Sequence, residues 1–491
     1  MANGVATSRP AGAVADINDH GLLSPAETSL LTDQYELTMA ASYLARGMNE
    51  LATFELFVRH LPPHRDWLLV AGIGPALRLV ETMRFGSREL DSLQALGVPS
   101  PLLEYLAGFR FSGDVEAMPE GTVAFAGEPL LRVTAPRIEA QLVETLLLNQ
   151  INFQTAIATK AARLVLAAGA GTPGAGGSVV DFSPRRDHGT DAAMKAARAA
   201  VIAGASATSN VAAAARYGLI PVGTMAHSYV MSFPSELEAF RTFMVDTPDN
   251  AVLLVDTYDT VDGVANAITA ARVTGVHLKG IRLDSGDRLE LARAGRAMLD
   301  EAGLHDAQIV ASGDLDEQQI CSLVAADAPI DVWGVGTDLG TSRDSPTVGG
   351  VYKLVADRAG GRWRPVAKRS AAKATLPGRK QVFRCYCDGV IDHDVLAMAS
   401  ESLAGQPLLE PALREGRMVL TESLGELRAR AADGLRSLPD ALRRPGRGPR
   451  EPYAVVLSPG LAQLTAAVRG DASARELGRG HSTVPSTDHA A

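Results

Sequence analysis

Cysteine is scarce in this chain, which has only 3 among 491 residues. Three thiols cannot form a disulfide framework, and Cys385 and Cys387 lack the two-residue spacer of a zinc knuckle or a redox motif. We therefore expect reduced thiols and a cytoplasmic location. The segment 1–24 has no apolar core flanked by basic residues, so we expect no signal peptide.

Long apolar runs and an excess of positive charge are also lacking. No apolar stretch is long and uninterrupted enough to predict a membrane span. The net charge is -9, so the surface as a whole should repel nucleic acid and anionic membranes, and we expect neither as a partner. An anionic substrate would therefore need a locally positive pocket.

The composition and the pattern of predicted strands and helices change along the chain and predict five regions. We expect a disordered N-terminus in 1–25, an α/β domain in 26–150 and a catalytic α/β barrel in 151–350. A C-terminal part in 351–440 should pack on the N-terminal domain, and 441–491 should form a disordered tail.

From residue 177 onwards, short β-rich runs alternate with helical patterns, which indicates a parallel sheet. The predicted strands are Val179–Phe182, Ile220–Thr224, Val252–Tyr258, Gly280–Leu283, Ile309–Ala311 and Val332–Val335. The strands can close as a barrel or lie open. Closure is favoured because polar residues follow nearly every strand, as in barrels whose active site is built from strand-to-helix loops.

Three consecutive strand ends carry glycine together with serine or threonine: RLDSGD from Arg282, ASGD from Ala311 and GVGTD from Gly334. Glycine lets the backbone approach an anion, and the following helix adds its positive end. One such turn is weak evidence, since these residues also cap helices, but three on one rim predict phosphate binding. The predicted phosphate-binding residues are Ser285, Gly286, Ser312, Gly313, Gly334, Gly336 and Thr337.

Two further strand ends carry candidate functional groups. After the first strand, Arg185 and its neighbours supply positive charge and Phe182 a flat ring, although a solvated basic loop with a core phenylalanine is the alternative. His227 lies in GTMAHSY among small and hydroxyl residues, where imidazole can act as nucleophile or base, although a lone histidine is more often structural. Asp284 is a candidate for ribose hydroxyls or Mg²⁺, whereas Asp287 suits a helix cap.

Taken together, these segments resemble the nicotinate phosphoribosyltransferase family over roughly residues 30–426. The matching stretches are LLTDQYELTMA, ATFELFVRHLP, FSGDVEAMPEGT, DFSPRRDHGTDAAMKAARAA, GTMAHSYVMSF, LLVDTYDT, GIRLDSGD, ASGD and GVGTDLGTS. The resemblance implies a type II phosphoribosyltransferase: an α/β fold with an irregular barrel, a packed N-terminal α/β domain and a small C-terminal extension. It also implies a homodimer with active sites near the subunit interface.

The resemblance further implies the substrates nicotinate and phosphoribosyl pyrophosphate, with ATP as co-substrate and Mg²⁺ as cofactor, on the route to NAD. In that family picture His227 is phosphorylated by ATP, and Arg282 and Asp284 hold the pyrophosphate and ribose. Phe182 and a partner subunit's copy of Tyr35 enclose the pyridine ring, and Arg185 lies near its carboxylate or the 5-phosphate.

The residues after the first predicted helix of the barrel, Ala207-Thr208-Ser209-Asn210, bear on whether the substrate is nicotinate or nicotinamide. Nicotinamide-using relatives place an aspartate where this chain has Ser209, and here Thr208 and Ser209 can donate to a carboxylate or cap a helix. This favours nicotinate. The alternatives are a nicotinamide or quinolinate phosphoribosyltransferase, a non-catalytic sensor of the sugar phosphate or NAD, and an aldolase-like barrel that uses Lys160 or Lys279.

Overall fold

The computed structural model describes residues 21–169, 177–370, 373–444 and 453–479, with side chains described to residue 470. The part before residue 169 combines helices with antiparallel strands. After a 3-10 helix (Glu27–Leu30), its elements are α1 (Gln34–Ala45), β1 (Leu51–Val58), β2 (Leu68–Leu69), α2 (Ile73–Thr82), α3 (Ser87–Ala95), α4 (Ser100–Ala107), β3 (Asp114–Ala117), β4 (Val123–Ala124), β5 (Pro129–Pro136), α5 (Arg137–Leu142) and α6 (Glu144–Ala167).

The middle of the chain alternates strands and helices. Its elements are β6 (Ser178–Asp181), α7 (Thr190–Ile202), β7 (Ala207–Thr208), α8 (Val211–Tyr217), α9 (His227–Met231), α10 (Glu236–Asp246), a 3-10 helix (Pro248–Asn250), β8 (Val252–Leu254), α11 (Thr260–Thr274), β9 (Gly280–Leu283), α12 (Arg288–Glu301), β10 (Gln308–Ala311), α13 (Glu317–Ala325), β11 (Val332–Val335) and α14 (Thr337–Gly340).

These six strands form one parallel sheet in the order β7-β6-β11-β10-β9-β8. The last strand pairs with the first, through Val332 opposite Ser178 and Val335 opposite Asp181, so the sheet curls round as a barrel does. The ring is interrupted between β7 and β8. The predicted irregular α/β barrel is therefore confirmed.

The predicted strand Ile220–Thr224 is wrong, and β7 occupies its place. The segment forms only a single parallel bridge, between Pro221 and Thr208. Pro221 has no N–H to donate, and a strand interior disfavours both proline and glycine such as Gly223. The interruption of the ring lies at this point.

The C-terminal part returns to the N-terminal domain. Its elements are β12 (Gly350–Ala359), β13 (Arg362–Pro365), β14 (Lys380–Cys387), β15 (Val390–Met398), β16 (Gln406–Pro407), β17 (Glu410–Arg414), β18 (Arg417–Met418), α15 (Leu424–Arg436), α16 (Asp440–Arg443), β19 (Val455–Leu457) and α17 (Pro459–Arg479). A seven-stranded sheet, ordered β13-β12-β1-β5-β3-β17-β18, mixes strands from both parts, and β16-β14-β15-β19 form a further sheet.

The expectation of a disordered tail is wrong for the part of 441–491 that the structure describes. β19 pairs in parallel with β15, through Val456 opposite Val395. Tyr453 stacks on Phe125 with ring centroids 3.6 Å apart, and Leu461 in α17 is fully buried. The apolar segment that contains these residues therefore packs against the rest of the fold, although the residues before it are rich in proline and arginine. Residues 1–20 of the expected N-terminal disorder, and 480–491, lie outside the described residues.

Helix α6 joins the two halves of the molecule. Its first half, including Ile151 and Ala156, packs in the core of the N-terminal domain, whereas Ile157 and Ala161 pack in the core around the barrel. The expected boundary between residues 150 and 151 thus falls inside a continuous helix. Among the described residues, no helix combines the length and apolar character that crossing a membrane requires.

Candidate active site

The carboxyl ends of the six parallel strands meet at one edge of the barrel, where active sites of such folds lie. The residues at or just after these strand ends are Phe182 after β6, Ser209 after β7, Asp256 after β8, Asp284 after β9, Ser312 after β10 and Gly336 after β11. The predicted site residues from residue 182 onwards therefore occur around a common mouth.

A hydrogen-bond network ties three neighbouring strand ends together. The Asp256 carboxylate accepts from the backbone N–H of Asp284 at 2.9 Å and from the Ser285 hydroxyl at 2.7 Å. The Ser312 hydroxyl donates to Asp284 Oδ1 at 2.5 Å. Asp284, Ser285 and Ser312, predicted separately from the sequence, are thus brought together.

Asp256 is the residue at the centre of this network that sequence analysis missed. It follows the buried run VLLV and precedes Thr257, so a polar residue at a strand end was the available signal. Its Oδ1 atom is buried without a hydrogen-bond partner among the described residues. A buried carboxylate oxygen of this kind needs a ligand, a cation or water.

Arg282 supplies the positive charge at the centre of the mouth. Its Nη1 donates to Thr224 Oγ1 at 3.3 Å, while Nε is buried without a partner in the described part of the chain. Burial lowers the pKa of the guanidinium, as does the charge of Arg185, and the carboxylates of Asp284 and Asp256 oppose this. The group still stays charged at neutral pH, and an anion would satisfy its open donor.

His227 begins α9 and is half-buried beside the end of β8. Its Nδ1 lies 3.2 Å from the Thr257 hydroxyl. Within the described ranges Nε2 has no hydrogen-bond partner. Because one ring nitrogen is oriented by a hydroxyl, the other is left for chemistry.

Phe182 and Gly334 of β11 form one flat wall of the mouth. The Phe182 N–H donates to Val335 O at 2.8 Å, and the ring lies across Gly334. A Cβ atom added at Gly334 would lie 2.5 Å from Phe182 Cε2, so only glycine leaves room for the ring. The observed neighbour of Gly334 is therefore an aromatic ring, while Gly336 and Thr337 begin the next turn.

The turn after β10 is held in an unusual conformation. Gly313 has φ of 82° and Asp314 follows with φ of 46°, both left-handed. Arg288 donates to the carbonyl oxygens of Ser312 and Gly313 from one side. The predicted cap role of Asp287 is confirmed, since its carboxylate accepts from Leu289 N at 3.0 Å.

Thr208 and Ser209 differ in what their hydroxyls contact. Thr208 donates to buried Asp181 at 2.7 Å and accepts from Asn210 N at 3.0 Å, so a contact with substrate would require it to change partners. The Ser209 hydroxyl is buried without a partner among the described residues. Burial raises the pKa of Asp181 above its usual range. Ser209 is thus the open donor on this side of the mouth.

Two further predicted residues, Arg185 and Tyr35, also lie outside this hydrogen-bond network. Arg185 is exposed and has no ion-pair partner within the described residues, but its positive charge helps to lower the pKa of Arg282. Tyr35 lies on α1 beside Glu144, and the pKa of its phenol is raised by burial and then by the charge of Glu144. Glu144 starts α6, and Lys160, close to the barrel edge, lies 16 residues further on, or about 24 Å along the helix. Tyr35 is therefore remote from the mouth of its own chain.

Mg²⁺ fits two of these residues. Among the described residues no group of three or more carboxylate, histidine or cysteine ligands is present. Mg²⁺, however, is commonly bound by one or two carboxylates with water and substrate phosphates. Asp256 and Asp284 provide such a pair, because Asp256 Oδ1 is unsatisfied and only Oδ1 of Asp284 is held by Ser312.

A curled parallel α/β sheet with glycine turns, an arginine and paired carboxylates at its carboxyl edge is typical of barrel enzymes that act on phosphorylated substrates. Comparison with known proteins narrows this class. The model of the nicotinate phosphoribosyltransferase N-terminal domain matches residues 30–152, and that of the nicotinate phosphoribosyltransferase family matches 178–394. The chain belongs to the nicotinate phosphoribosyltransferase family.

Relatives support this placement over most of the chain. A nicotinate phosphoribosyltransferase of Mycobacterium tuberculosis is 47% identical over 420 residues, which is 84% of this chain and 88% of that protein. One of Bacillus subtilis is 46% identical over 363 residues, or 72% of this chain and 73% of that protein. The crystal structure of human nicotinic acid phosphoribosyltransferase superposes with a TM-score of 0.75 at 29% identity, covering 90% of this chain and 100% of that one.

Proposed function

We propose that this protein transfers the phosphoribosyl group of phosphoribosyl pyrophosphate to nicotinate, giving nicotinate mononucleotide and pyrophosphate for NAD biosynthesis by salvage. The observation that carries the proposal is the convergence at one barrel edge of the Phe182 ring, the open Ser209 hydroxyl, the open Arg282 donor and the Asp256–Asp284–Ser312 network. Phe182 and Ser209 suit a flat ring with a carboxylate, Asp284 and Ser312 suit the hydroxyls of a sugar, and Arg282 suits a pyrophosphate.

The reaction needs positioning rather than a base. The pyridine nitrogen has no proton to lose, so its lone pair forms the bond to the anomeric carbon while the bond to pyrophosphate breaks with its electron pair. Positive charge develops on the ribose and negative charge on the leaving group. Arg282 would neutralise the leaving pyrophosphate, Asp284 and Ser312 would hold the ribose, and Phe182 would align the ring. Bound Mg²⁺, held by Asp256 and Asp284, would add charge neutralisation at the pyrophosphate.

ATP would act through His227. In this step Nε2 attacks the γ-phosphorus of ATP, the bond to the ADP oxygen breaks, and ADP leaves. The Thr257 hydroxyl, 3.2 Å from Nδ1, orients the ring for this attack. A phosphate beside Asp256 and Arg282 adds charge and acceptor oxygens that can order the site for the sugar, and its hydrolysis resets the enzyme. With this coupling the reaction is that of an ATP-dependent ligase as well as a glycosyltransferase.

The choice of nicotinate rests on Ser209. The Ser209→Asp variant would place a buried carboxylate against the substrate carboxylate, and we expect kcat/KM for nicotinate to fall roughly 100-fold, with use of nicotinamide rising. Steady-state assays with nicotinate, nicotinamide and quinolinate and a fixed concentration of phosphoribosyl pyrophosphate measure this.

The Ser209→Ala variant is the matched control, because it removes the donor without adding charge, and we expect a loss of about 10-fold or less. Use of nicotinamide but not nicotinate by the wild-type protein would refute the substrate assignment. Binding of the sugar phosphate without turnover of any pyridine would favour the non-catalytic sensor.

The contact between Gly334 and Phe182 predicts a selective defect. The Gly334→Ala variant forces the ring out of its position, so we expect KM for nicotinate to rise about 10-fold with less change for phosphoribosyl pyrophosphate. Gly349→Ala is the control, because an added Cβ there has nothing within 4 Å. A Gly334→Ala enzyme with unchanged KM for nicotinate would show that the ring does not contact the substrate.

Tyr35 fits a site completed by a second copy of the chain. The residue is 47% exposed and lies on α1, remote from the mouth of its own subunit. In a homodimer of the kind that the family resemblance implies, the partner subunit's Tyr35 would face Phe182 across the pyridine ring.

A further inference from the structure

A buried cluster of six charged side chains lies behind the barrel edge. At its centre is Lys160 of α6, whose side chain is fully buried and forms ion pairs with Glu317, Asp338 and Asp344, the last at 3.1 Å. Two arginines complete what we call the Lys160 cluster: Arg65 and Arg163.

The Lys160 cluster is balanced and tightly connected. Arg65 donates to both oxygens of Asp344 at 2.8 Å, and Arg163 donates to Glu317 at 3.1 Å. Three cations thus face three carboxylates. Hydrogen bonds and ion pairs from Arg65 and Lys160 hold the pKa of Asp344 well below its usual range, against the effect of its burial. Removing one partner of such a buried set leaves an uncompensated charge.

The cluster is attached to two of the turns at the active-site edge. Asp338 lies in α14, two residues after Gly336 at the end of β11. Glu317 lies in the first turn of α13, which follows the Gly313 turn after β10. Lys160, on helix α6, is therefore paired with α13 and α14, the helices that follow these two adjacent turns. Helix α6 itself packs in both cores.

Lys160 has no access to substrate, because its ammonium group is enclosed by carboxylates and has no exposed surface. This placement is unsuited to a Schiff base, so the aldolase-like alternative has no support at this residue. A fully buried lysine is nevertheless costly, and the mechanism above makes no use of it.

Resting on the proposed function, we propose that Lys160 is a positioning residue that fixes the spacing between the Gly313 and Gly336 turns and so sets the affinity for phosphoribosyl pyrophosphate. The pyridine wall depends on Phe182 and Ser209, which follow β6 and β7. Phe182 is held through the strand β11 itself, by its bond to Val335 O, and within the described residues neither Phe182 nor Ser209 forms a hydrogen bond with the Lys160 cluster. Loss of Lys160 should therefore act on the sugar phosphate selectively. The effect is geometric, since the lysine itself does not touch the ligand.

The test compares Lys160→Met with the wild type in steady-state assays that vary each substrate separately. We expect KM for phosphoribosyl pyrophosphate to rise at least about 10-fold, while KM for nicotinate changes less than about 2-fold. The Asp338→Asn variant is the milder second test, because it weakens the tie to α14 alone and should shift the same KM in the same direction. Equal changes in both KM values, or none in a folded variant, would overturn the proposal.

Lys380→Met is the matched control. Lys380 is also buried, but it begins β14 in the C-terminal part and is paired at 2.8 Å with Glu55 of β1 in the N-terminal domain. We expect this variant to lower the melting temperature without changing the ratio of the two KM values. A ratio shifted as much as in Lys160→Met would show that general destabilisation explains the effect. Failure of the wild type to use the two substrates would instead refute the proposed function.

Discussion

The His227→Ala variant is expected to lose ATP hydrolysis, by at least about 100-fold, while slow transfer of phosphoribosyl to nicotinate continues without ATP. The reason is structural: Nδ1 of this imidazole faces the Thr257 hydroxyl, and Nε2 is the nucleophilic atom left at the mouth. The substitution leaves in place the groups that we propose bind the ring, the sugar and the pyrophosphate. ADP release and formation of nicotinate mononucleotide, followed in the same samples with and without ATP, measure both effects.

The control for this experiment is His277→Ala. His277 is an exposed histidine that pairs with Asp306 at 2.8 Å and lies before β9, at the opposite end of the barrel from the mouth. The His277→Ala variant should hydrolyse ATP as the wild type does. ATP hydrolysis by His227→Ala at the wild-type rate would remove the phosphohistidine from the mechanism, while leaving the transfer reaction in place.

The Arg282→Ala variant is expected to raise KM for phosphoribosyl pyrophosphate roughly 100-fold and KM for nicotinate only a few-fold. Its guanidinium is half-buried and feels the charges of Asp284 and Asp256, and its Nε lacks a partner among the described residues. Hydrogen bonds from a charged donor to phosphate contribute about 1.5–3 kcal/mol, and more where the leaving charge develops. Initial rates over a matrix of both substrate concentrations separate the two constants.

Arg282→Lys distinguishes charge from geometry in this prediction. Lysine keeps the positive charge but cannot supply the fork of donors, so we expect it to recover only part of the loss. Equal increases in both KM values for Arg282→Ala would place the arginine at the pyridine side or make its role structural.

Sequence patterns predicted the rim of the barrel well because each turn carries its own local signal. Glycine beside serine after an apolar run marks Gly286 and Gly313, and the structure places both at strand ends. Asp256 was missed because its role exists only across strands, where its carboxylate accepts from Asp284 and Ser285. Such pairing depends on register, which a single sequence does not reveal.

The errors have identifiable physical causes. The segment Ile220–Thr224 has β-branched residues, but Pro221 removes a donor and leaves only a bridge. Tyr453 lies close to a Pro- and Arg-rich stretch typical of disorder, yet its ring stacks on Phe125 and its hydroxyl donates to Asp394 at 3.1 Å. In the first case one proline outweighs the β propensity of its neighbours, and in the second long-range contacts override local composition.

The Lys160 cluster is a further feature that a single sequence does not reveal. The sequence offers Lys160 as a polar residue within an apolar helix, which raises the question of a catalytic amine. Only the fold reveals that its partners Glu317 and Asp338 come from helices more than 150 residues away in the chain. The lysine is thereby assigned to positioning and not to chemistry.

The measurement that tests the central claim most directly is a crystal structure with phosphoribosyl pyrophosphate, Mg²⁺ and nicotinate bound. The account predicts the pyridine ring on Phe182, its carboxylate near Ser209, and the sugar and pyrophosphate over β9 to β11 within reach of Arg282, Asp284 and the Gly313 turn. Ligands bound away from this edge, such as in the arginine-lined cavity of about 520 Å³ between α6 and α15, would contradict it.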